Sequence, residues 1–243
     1  MKLEIEKAAD LIRNAGGAIA LTGAGVSTES GIPDFRSRNG LWSRFDPMEY
    51  GTYEAFRRDP HKVWDMLAEL LFVADAVPNE GHLAMARMEE AGLLQAIITQ
   101  NIDGLHQKAG STNVVEFHGS MASFSCPSCE ARYSMTEVRR LHLPPHCFTC
   151  GAVLKPNIVF FDEVIPPYAI ARTEQLVGSA RVLIVAGTSC RVVPASSIPG
   201  LVKQQGGRVI EINTEPALAH LADITLGGGF AATMTALLEK LLE

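Results

Sequence analysis

No apolar run in these 243 residues approaches the roughly 20 that a helix needs to cross a bilayer. Residues 1–16 read as a charged amphipathic helix without the apolar stretch of a signal peptide, so a cytoplasmic protein with no membrane partner is expected. Blocks of five or six like charges are missing as well. The net charge of −6, from 21 Lys+Arg against 27 Asp+Glu, leaves no electrostatic footprint for nucleic acid. Cysteines number five, an odd count that argues against a disulfide framework in a reducing compartment. The remaining balance, 47% hydrophobic and 20% charged residues, is that of a globular chain able to bury one substantial core, with room for a small satellite module.

Four of the cysteines stand as Cys126-Pro-Ser-Cys129 and Cys147-Phe-Thr-Cys150. Two C-x-x-C knuckles at this separation are the pattern of a zinc site. Each aims two thiolates at one ion, and four thiolates close a tetrahedral shell with no position for water, so one structural Zn2+ is expected. His146, beside Cys147, is an alternative ligand. Cys190 is left over, and a buried inert thiol is its plain reading.

The run Leu21-Thr-Gly-Ala-Gly-Val-Ser-Thr-Glu-Ser-Gly31 follows a short apolar segment, 18–21. It matches a dinucleotide fingerprint in part, because Thr28 stands where that motif has its last glycine. Gly23 and Gly25 would let backbone approach a phosphate, and Ser27 or Thr28 would cap the helix that follows. An ordinary strand-to-helix turn reads the same way. Residues 94–99, 182–186 and 208–212 are short runs of Ile, Val, Leu and Ala, the pattern of strands buried on both faces of a parallel sheet. Helical patterns at 3–14, 82–91 and 194–205 alternate with them, which predicts a doubly wound α/β sheet. All four strands finish in small, polar, turn-competent residues: Thr22-Gly-Ala-Gly-Val-Ser27, Gln100-Asn-Ile-Asp-Gly104, Gly187-Thr-Ser189 and Asn213-Thr-Glu215. Open α/β sheets bind ligands at that edge, so a nucleotide site is expected there. The knuckles and residues 31–78, with a helix broken at Asp59-Pro60, read as insertions.

Gly23-Ala-Gly-Val-Ser-Thr-Glu-Ser-Gly-Ile-Pro-Asp-Phe-Arg36, Thr99-Gln-Asn-Ile-Asp-Gly-Leu-His106, Phe117-His-Gly-Ser120 and Gly187-Thr-Ser189 together resemble the sirtuins, of bacterial or archaeal type. The resemblance runs in register from about residue 5 to the C-terminus and includes the knuckles. It implies a Rossmann-like domain (1–30, 79–120 and 157–243), a helical insertion with a cofactor loop (31–78) and a zinc-binding module (121–156). It further implies an NAD-dependent protein lysine deacylase that consumes NAD as co-substrate, acts on acyl-lysine proteins or peptides, and releases nicotinamide and O-acyl-ADP-ribose. By the same resemblance Gly23, Ala24, Gly25 and Ser27 face the NAD diphosphate, with Arg36 near ribose and diphosphate and Phe35 over the reacting ribose carbon. Gly187, Thr188, Ser189 and Asn213 hold the adenosine half, and Asp34, Thr214, Glu215 and Phe230 also belong to the cofactor site. Gln100 and Asn101 orient the nicotinamide-side ribose, while Ile102 and Asp103 line the nicotinamide pocket. His118 is the expected general base, with Asn101 beside it in catalysis; an imidazole of pKa roughly 6.5 is a usable base at neutral pH. His106 is the competing histidine.

Val159, Phe160 and Phe161 would offer backbone to the substrate peptide as a neighbouring strand. Sirtuins that remove succinyl or malonyl groups carry a Tyr and an Arg three residues apart on a helix; here those positions hold Leu67 and Leu70. A preference for neutral acyl groups over succinyl follows, since a carboxylate buried without a partner is costly. Val63, Leu67, Leu70, Leu71 and Ala74 also form a helical stripe, so plain packing explains the two leucines equally well. Asp162 stands where the family usually has Gly; it is expected either to favour basic residues flanking the acyl-lysine or to restrict access, and an outward-pointing, tolerated side chain is the plain alternative. Two other readings keep fewer of these residues: an NAD-dependent ADP-ribosyltransferase, and a non-enzymatic zinc-ribbon module or NAD sensor. The oligomeric state is not legible in the sequence.

Overall fold

The computed structural model describes residues 2–243; the side chains at 72 and 74, and with them Ala74 of the expected stripe, lie outside the described residues. In chain order the described strands are β1 (Ala18–Thr22), β2 (Leu94–Thr99), β3 (Val114–Glu116), β4 (Gly119–Ser125), β5 (Arg132–Ser134), β6 (Lys155–Ile158), β7 (Val182–Ala186), β8 (Arg208–Asn213) and β9 (Ile224–Gly227). Six make a parallel sheet in the order β3-β2-β1-β7-β8-β9, so the winding reverses between β1 and β7. In register, Thr22 lies opposite Thr99 on one side and Ala186 on the other, which brings three strand ends to one level.

The strands read as unbroken apolar runs because both faces are covered. Ala18, Ala20, Ile97, Ile184 and Ile210 pack in one layer with residues of the helices Lys2–Ala15, Glu80–Glu90 and Phe230–Leu242. Ile19, Leu21, Ile98, Leu183 and Val185 pack in the other with Pro167–Ser179 and Ile198–Gln204. Every such fully buried Ile or Leu contributes about 1.5–3 kcal/mol, and the alternation along each strand is what divides them between two layers. The helices expected at 3–14 and 82–91 form within two residues of those limits, and the third begins as a short 3-10 turn before Ile198–Gln204. The edge strands β3 and β9, three and four residues long, are additions that the periodicity did not mark.

The second sheet is antiparallel, in the order β5-β4-β6. Both insertions pack over it around one core. Trp64, on the helix Pro60–Leu70, stacks on Phe124 of β4 at 6.1 Å and donates its indole N–H to the Leu154 carbonyl at 2.8 Å. The expected pieces 31–78 and 121–156 are therefore joined by a shared apolar interior. Strand β4 starts at Gly119 and β6 runs from Lys155 to Ile158. The break at Asp59-Pro60 is present: the helix Tyr53–Arg58 stops there, and the Asp59 carboxylate accepts the Lys62 N–H at 3.1 Å to cap the next helix.

At the carboxyl edge the turns after β1 and β7 lie backbone on backbone. The Gly25 N–H donates to the Gly187 carbonyl at 2.8 Å. Gly187 has φ +58, and a β-carbon there would lie 2.3 Å from Val26 N; one on Gly25 would lie 2.8 Å from Gly187 Cα, and one on Gly23 would lie 2.7 Å from Thr188 Cβ. The space expected to admit a phosphate at Gly23 and Gly25 is thus filled on that side by residues 187–188. Gly187→Ala is expected to lower the unfolding free energy by about 2–4 kcal/mol, from left-handed strain plus overpacking. Urea denaturation measures it, and a loss within experimental error would show that the two turns relax freely.

Candidate active site

The strand ends open into a cleft of about 1060 Å3. From the sheet edge come Gly23, Ala24, Gly25, Gln100, Asn101, Ile102, Gly187, Thr188, Ser189, Asn213, Thr214 and Glu215; from the insertion come Asp34, Phe35, Arg36 and Leu70. His118, Val159, Phe160, Phe161 and Phe230 complete the expected residues found there. Ser27, Asp103 and Leu67 do not line it. Ser27 and Asp103 instead line an adjoining pocket of about 40 Å3, together with Ala24, Phe35, Leu70, Asn101 and Ile102 of the main cleft. Leu67 is fully buried in the small-domain core, and Met66 reaches the cleft in its place: one residue along a helix turns a side chain by about 100°, which carries 67 off the open face.

Hydrogen bonds hold these turns rigidly. The Gln100 side-chain amide donates to Thr188 Oγ1 at 3.1 Å and to the Thr22 carbonyl at 3.3 Å, tying together the ends of β2, β7 and β1. Asn213 donates to the Thr188 carbonyl at 3.2 Å and to Glu211 Oε1 at 2.8 Å. Glu211 is fully buried and accepts the N–H groups of Ala217 at 2.5 Å and Leu218 at 3.2 Å, which shapes the turn after β8. In the small pocket Asn101 donates to Ser27 Oγ at 3.1 Å, and Ser27 donates to Asp103 Oδ2 at 2.7 Å. Ser27 thus stands in a buried chain of hydrogen bonds between two polar side chains. Asp34 Oδ1 accepts the N–H groups of Arg36 and Ser37 at 2.9 and 2.7 Å, folding the loop that carries Arg36 into the cleft. Burial, and next to it the charge of Arg191, hold the Arg36 guanidinium below its ordinary pKa.

His118 lies on the two-residue passage from β3 of the large sheet to β4 of the small one. Its Nδ1 lies 3.2 Å from the Gln100 carbonyl, which only accepts, so Nδ1 carries the proton and Nε2 the lone pair. Burial pushes its pKa below 6.5, against the pull of that carbonyl. His106 has a different setting: 1% exposed, hydrogen-bonded through Nε2 to the Thr22 hydroxyl at 3.0 Å, pushed by burial to about 3, and lining neither cavity. It is no competitor as a base.

The Sγ atoms of Cys126, Cys129, Cys147 and Cys150 lie within 4.8 Å of one another. The Tyr133 hydroxyl donates to Cys147 Sγ at 3.2 Å and holds that thiol down to about 5. Cys129, despite the backbone N–H of Ala131, is pushed up to about 12 as it shares a proton with the Cys147 sulfur. Sulfurs this close cannot all be thiolates without a cation among them, and a tetrahedral dication answers that need. His146 is not in the cluster; its Nδ1 pairs with the Gly151 carbonyl at 2.8 Å. Cys190 is half-buried at φ +48, and burial pushes its thiol up to about 11, as befits an inert sulfur.

The Sir2 family model matches residues 23–194, from the first glycine of the β1 turn to the proline beyond the β7 turn. The chain belongs to the Sir2 family. It is 46% identical over 212 residues to NAD-dependent protein deacylase 1 of Archaeoglobus fulgidus, covering 86% of each chain. It is 43% identical over 245 residues to the NAD-dependent protein deacylase of Thermococcus kodakarensis, covering 97% of this chain and 95% of the relative. It also superposes, with a TM-score of 0.93 and 32% identity over 97% of this chain and 98% of the other, on a Sir2 histidine-to-alanine variant with a deacetylated p53 peptide and 3′-O-acetyl-ADP-ribose.

Several cleft residues of this Sir2 chain went unmarked in the sequence. Trp42 sits between Phe35 and Phe161, with ring centroids 5.4 and 5.8 Å away. Arg191, Val193 and Pro194 form a lip after the β7 turn, with Val193 76% exposed. An isolated Arg followed by exposed apolar residues was the one local hint. Asp162 has partners that the sequence did not mark: its two carboxylate oxygens accept the backbone N–H groups of Tyr53 and Glu54, the latter at 2.9 Å. The cluster geometry yields a prediction for the metal: chelation should red-shift tryptophan fluorescence and lower the melting temperature together with activity, since Trp64 is pinned to Leu154 just beyond the second knuckle. Loss of activity with melting and fluorescence untouched would make the metal catalytic.

Proposed function

We propose that this Sir2 protein is an NAD-dependent protein-lysine deacylase that acts in the cytoplasm on acyl-lysine proteins or peptides. No helix of the described residues is long and apolar enough to cross a membrane. The observation that carries the proposal is His118, a half-buried imidazole with a fixed tautomer in a cleft shared with both nucleotide-type strand ends and the segment Val159, Phe160 and Phe161. Val159 is brought there by its own N–H, which donates to the His118 carbonyl at 2.9 Å.

Bound NAD would supply an electrophilic ribose carbon, activated by departure of nicotinamide, for the acyl carbonyl oxygen, and the ribose hydroxyl on which the acyl group ends. The turns at Gly23–Gly25, Gly187–Ser189 and Asn213–Glu215 would hold its ADP portion, with Arg36 balancing diphosphate charge. The small pocket would take the nicotinamide amide against Asn101 and Asp103. Phe35, packed on Trp42, would keep water from the reacting carbon. His118 Nε2 would accept the proton of the attacking ribose hydroxyl, while the Gln100 carbonyl keeps Nδ1–H and stabilises the positive ring that results. A pKa held below 6.5 leaves the base unprotonated at neutral pH, so activity should persist down to pH 6.5 and fall only below it.

His118→Ala should keep folding and NAD binding and lose about 10²–10⁴ in rate; near-normal turnover would refute the assignment. Mass spectrometry of an acetyl-lysine peptide should show loss of the acyl mass only when NAD is present, whereas a gain of ADP-ribose would indicate a transferase. Among acyl groups, acetyl and longer neutral chains should exceed succinyl by at least about tenfold, because the helix Pro60–Leu70 presents Met66 and Leu70 and no cation to the cleft. A succinylated peptide turned over as fast would assign a loop guanidinium, Arg36, Arg38 or Arg191, to its carboxylate.

A further inference from the structure

The segment that would lie beside the substrate peptide is bonded to the helical insertion at three points. The Phe161 N–H donates to the Gly51 carbonyl at 2.9 Å, and the Asp162 carboxylate accepts the N–H groups of Tyr53 and Glu54, the first two of the helix Tyr53–Arg58. The next N–H, of Ala55, goes to Thr52 Oγ1 at 3.0 Å. The helix thus has two caps of different kinds: Thr52 from its own chain end, and Asp162 from more than a hundred residues away. A glycine at 162 would leave two helix N–H groups without this partner and would remove two of the three hydrogen bonds just described.

Beneath it, the segment is staked by a second acid. Glu163 accepts the Phe160 N–H at 2.9 Å and pairs with Lys155 at 2.9 Å, whose ammonium lies 4.6 Å above the Phe160 ring and 5.7 Å from the Tyr53 ring. On the other side Phe161 meets Trp42, and through it Phe35 of the cofactor loop. Asp162 is the charged, directional link in this chain of contacts between peptide segment and insertion.

We infer that Asp162 is a positioning residue: by capping the helix Tyr53–Arg58 from across the cleft wall it holds the peptide-facing segment at its working distance from the cofactor loop before substrate arrives. The inference rests on the deacylase reading for its kinetic arm and on geometry alone for its structural arm. The turns around Gly187 are braced separately, so the NAD site should not feel the change.

The test compares Asp162→Gly, Asp162→Asn and Thr52→Ala by hydrogen exchange and steady-state kinetics on an acetyl-lysine peptide. Asp162→Gly should speed amide exchange at Tyr53 and Glu54 by about tenfold and raise the peptide KM by about fivefold, the scale of one lost helix cap, with kcat and NAD KM within about twofold of the parent. Asp162→Asn, which keeps an oxygen acceptor, should recover part of both. Thr52→Ala should cost similar stability through the same helix yet leave the peptide KM unchanged. Equal KM increases in Asp162→Gly and Thr52→Ala would reduce Asp162 to an ordinary cap and overturn the inference, as would unaltered exchange at Tyr53 and Glu54. If the protein proved inactive on every peptide, the exchange result would still decide the clamp, and only the deacylase reading would fall.

Discussion

Where β1 and β7 leave the sheet, two backbones touch with no room for a β-carbon between them. Gly25 donates to Gly187 across that contact, and Val26 N lies where a side chain at Gly187 would begin. The contact brings the turns after neighbouring parallel strands to one level, and it does so at the reversal of the winding, where a crevice opens in any doubly wound sheet. Gln100 then spans from Thr22 to Thr188, Asn213 reaches back to the Thr188 carbonyl, and Glu211 gathers the next turn. The nucleotide edge is therefore a braced rim whose polar groups mostly hold one another, leaving a smaller set for a ligand.

His118 depends on that rim at one remove. Its ring is held by the Gln100 carbonyl, and its backbone is the passage between sheets. The following residue has to be glycine, since Gly119 has φ +77 and a β-carbon there would lie 2.2 Å from the Asn157 carbonyl oxygen. The cysteine cluster starts at Cys126, directly beyond the far end of β4. A metal there would brace the core around Trp64 and Phe124 and act on the cleft only through the packing of the small domain.

Much of the large domain was legible because its physics is local. Strands covered on both faces must be apolar throughout, and helices packed on one side must repeat their apolar residues every three or four positions. The knuckles were legible for the same reason: metal geometry imposes short spacings on the chain. Less could be read where a residue's role depends on a distant partner. Leu67 and Leu70 look alike in a helical stripe, yet only Leu70 reaches the cleft. Ser27 reads as an anion contact beside a glycine turn, and nothing local marks its hydrogen bonds with Asn101 and Asp103, whose positions β2 determines.

The sequence by itself determined the sheet, the metal-ligand set and the family, because hydrophobic period, ligand spacing and motif chemistry are all written within short windows. Tertiary structure alone decided between His118 and His106, joined two insertions over one core, and made Asp162 a helix cap. In each case the deciding quantity was burial or a hydrogen bond between residues far apart in the chain, and no local window contains either.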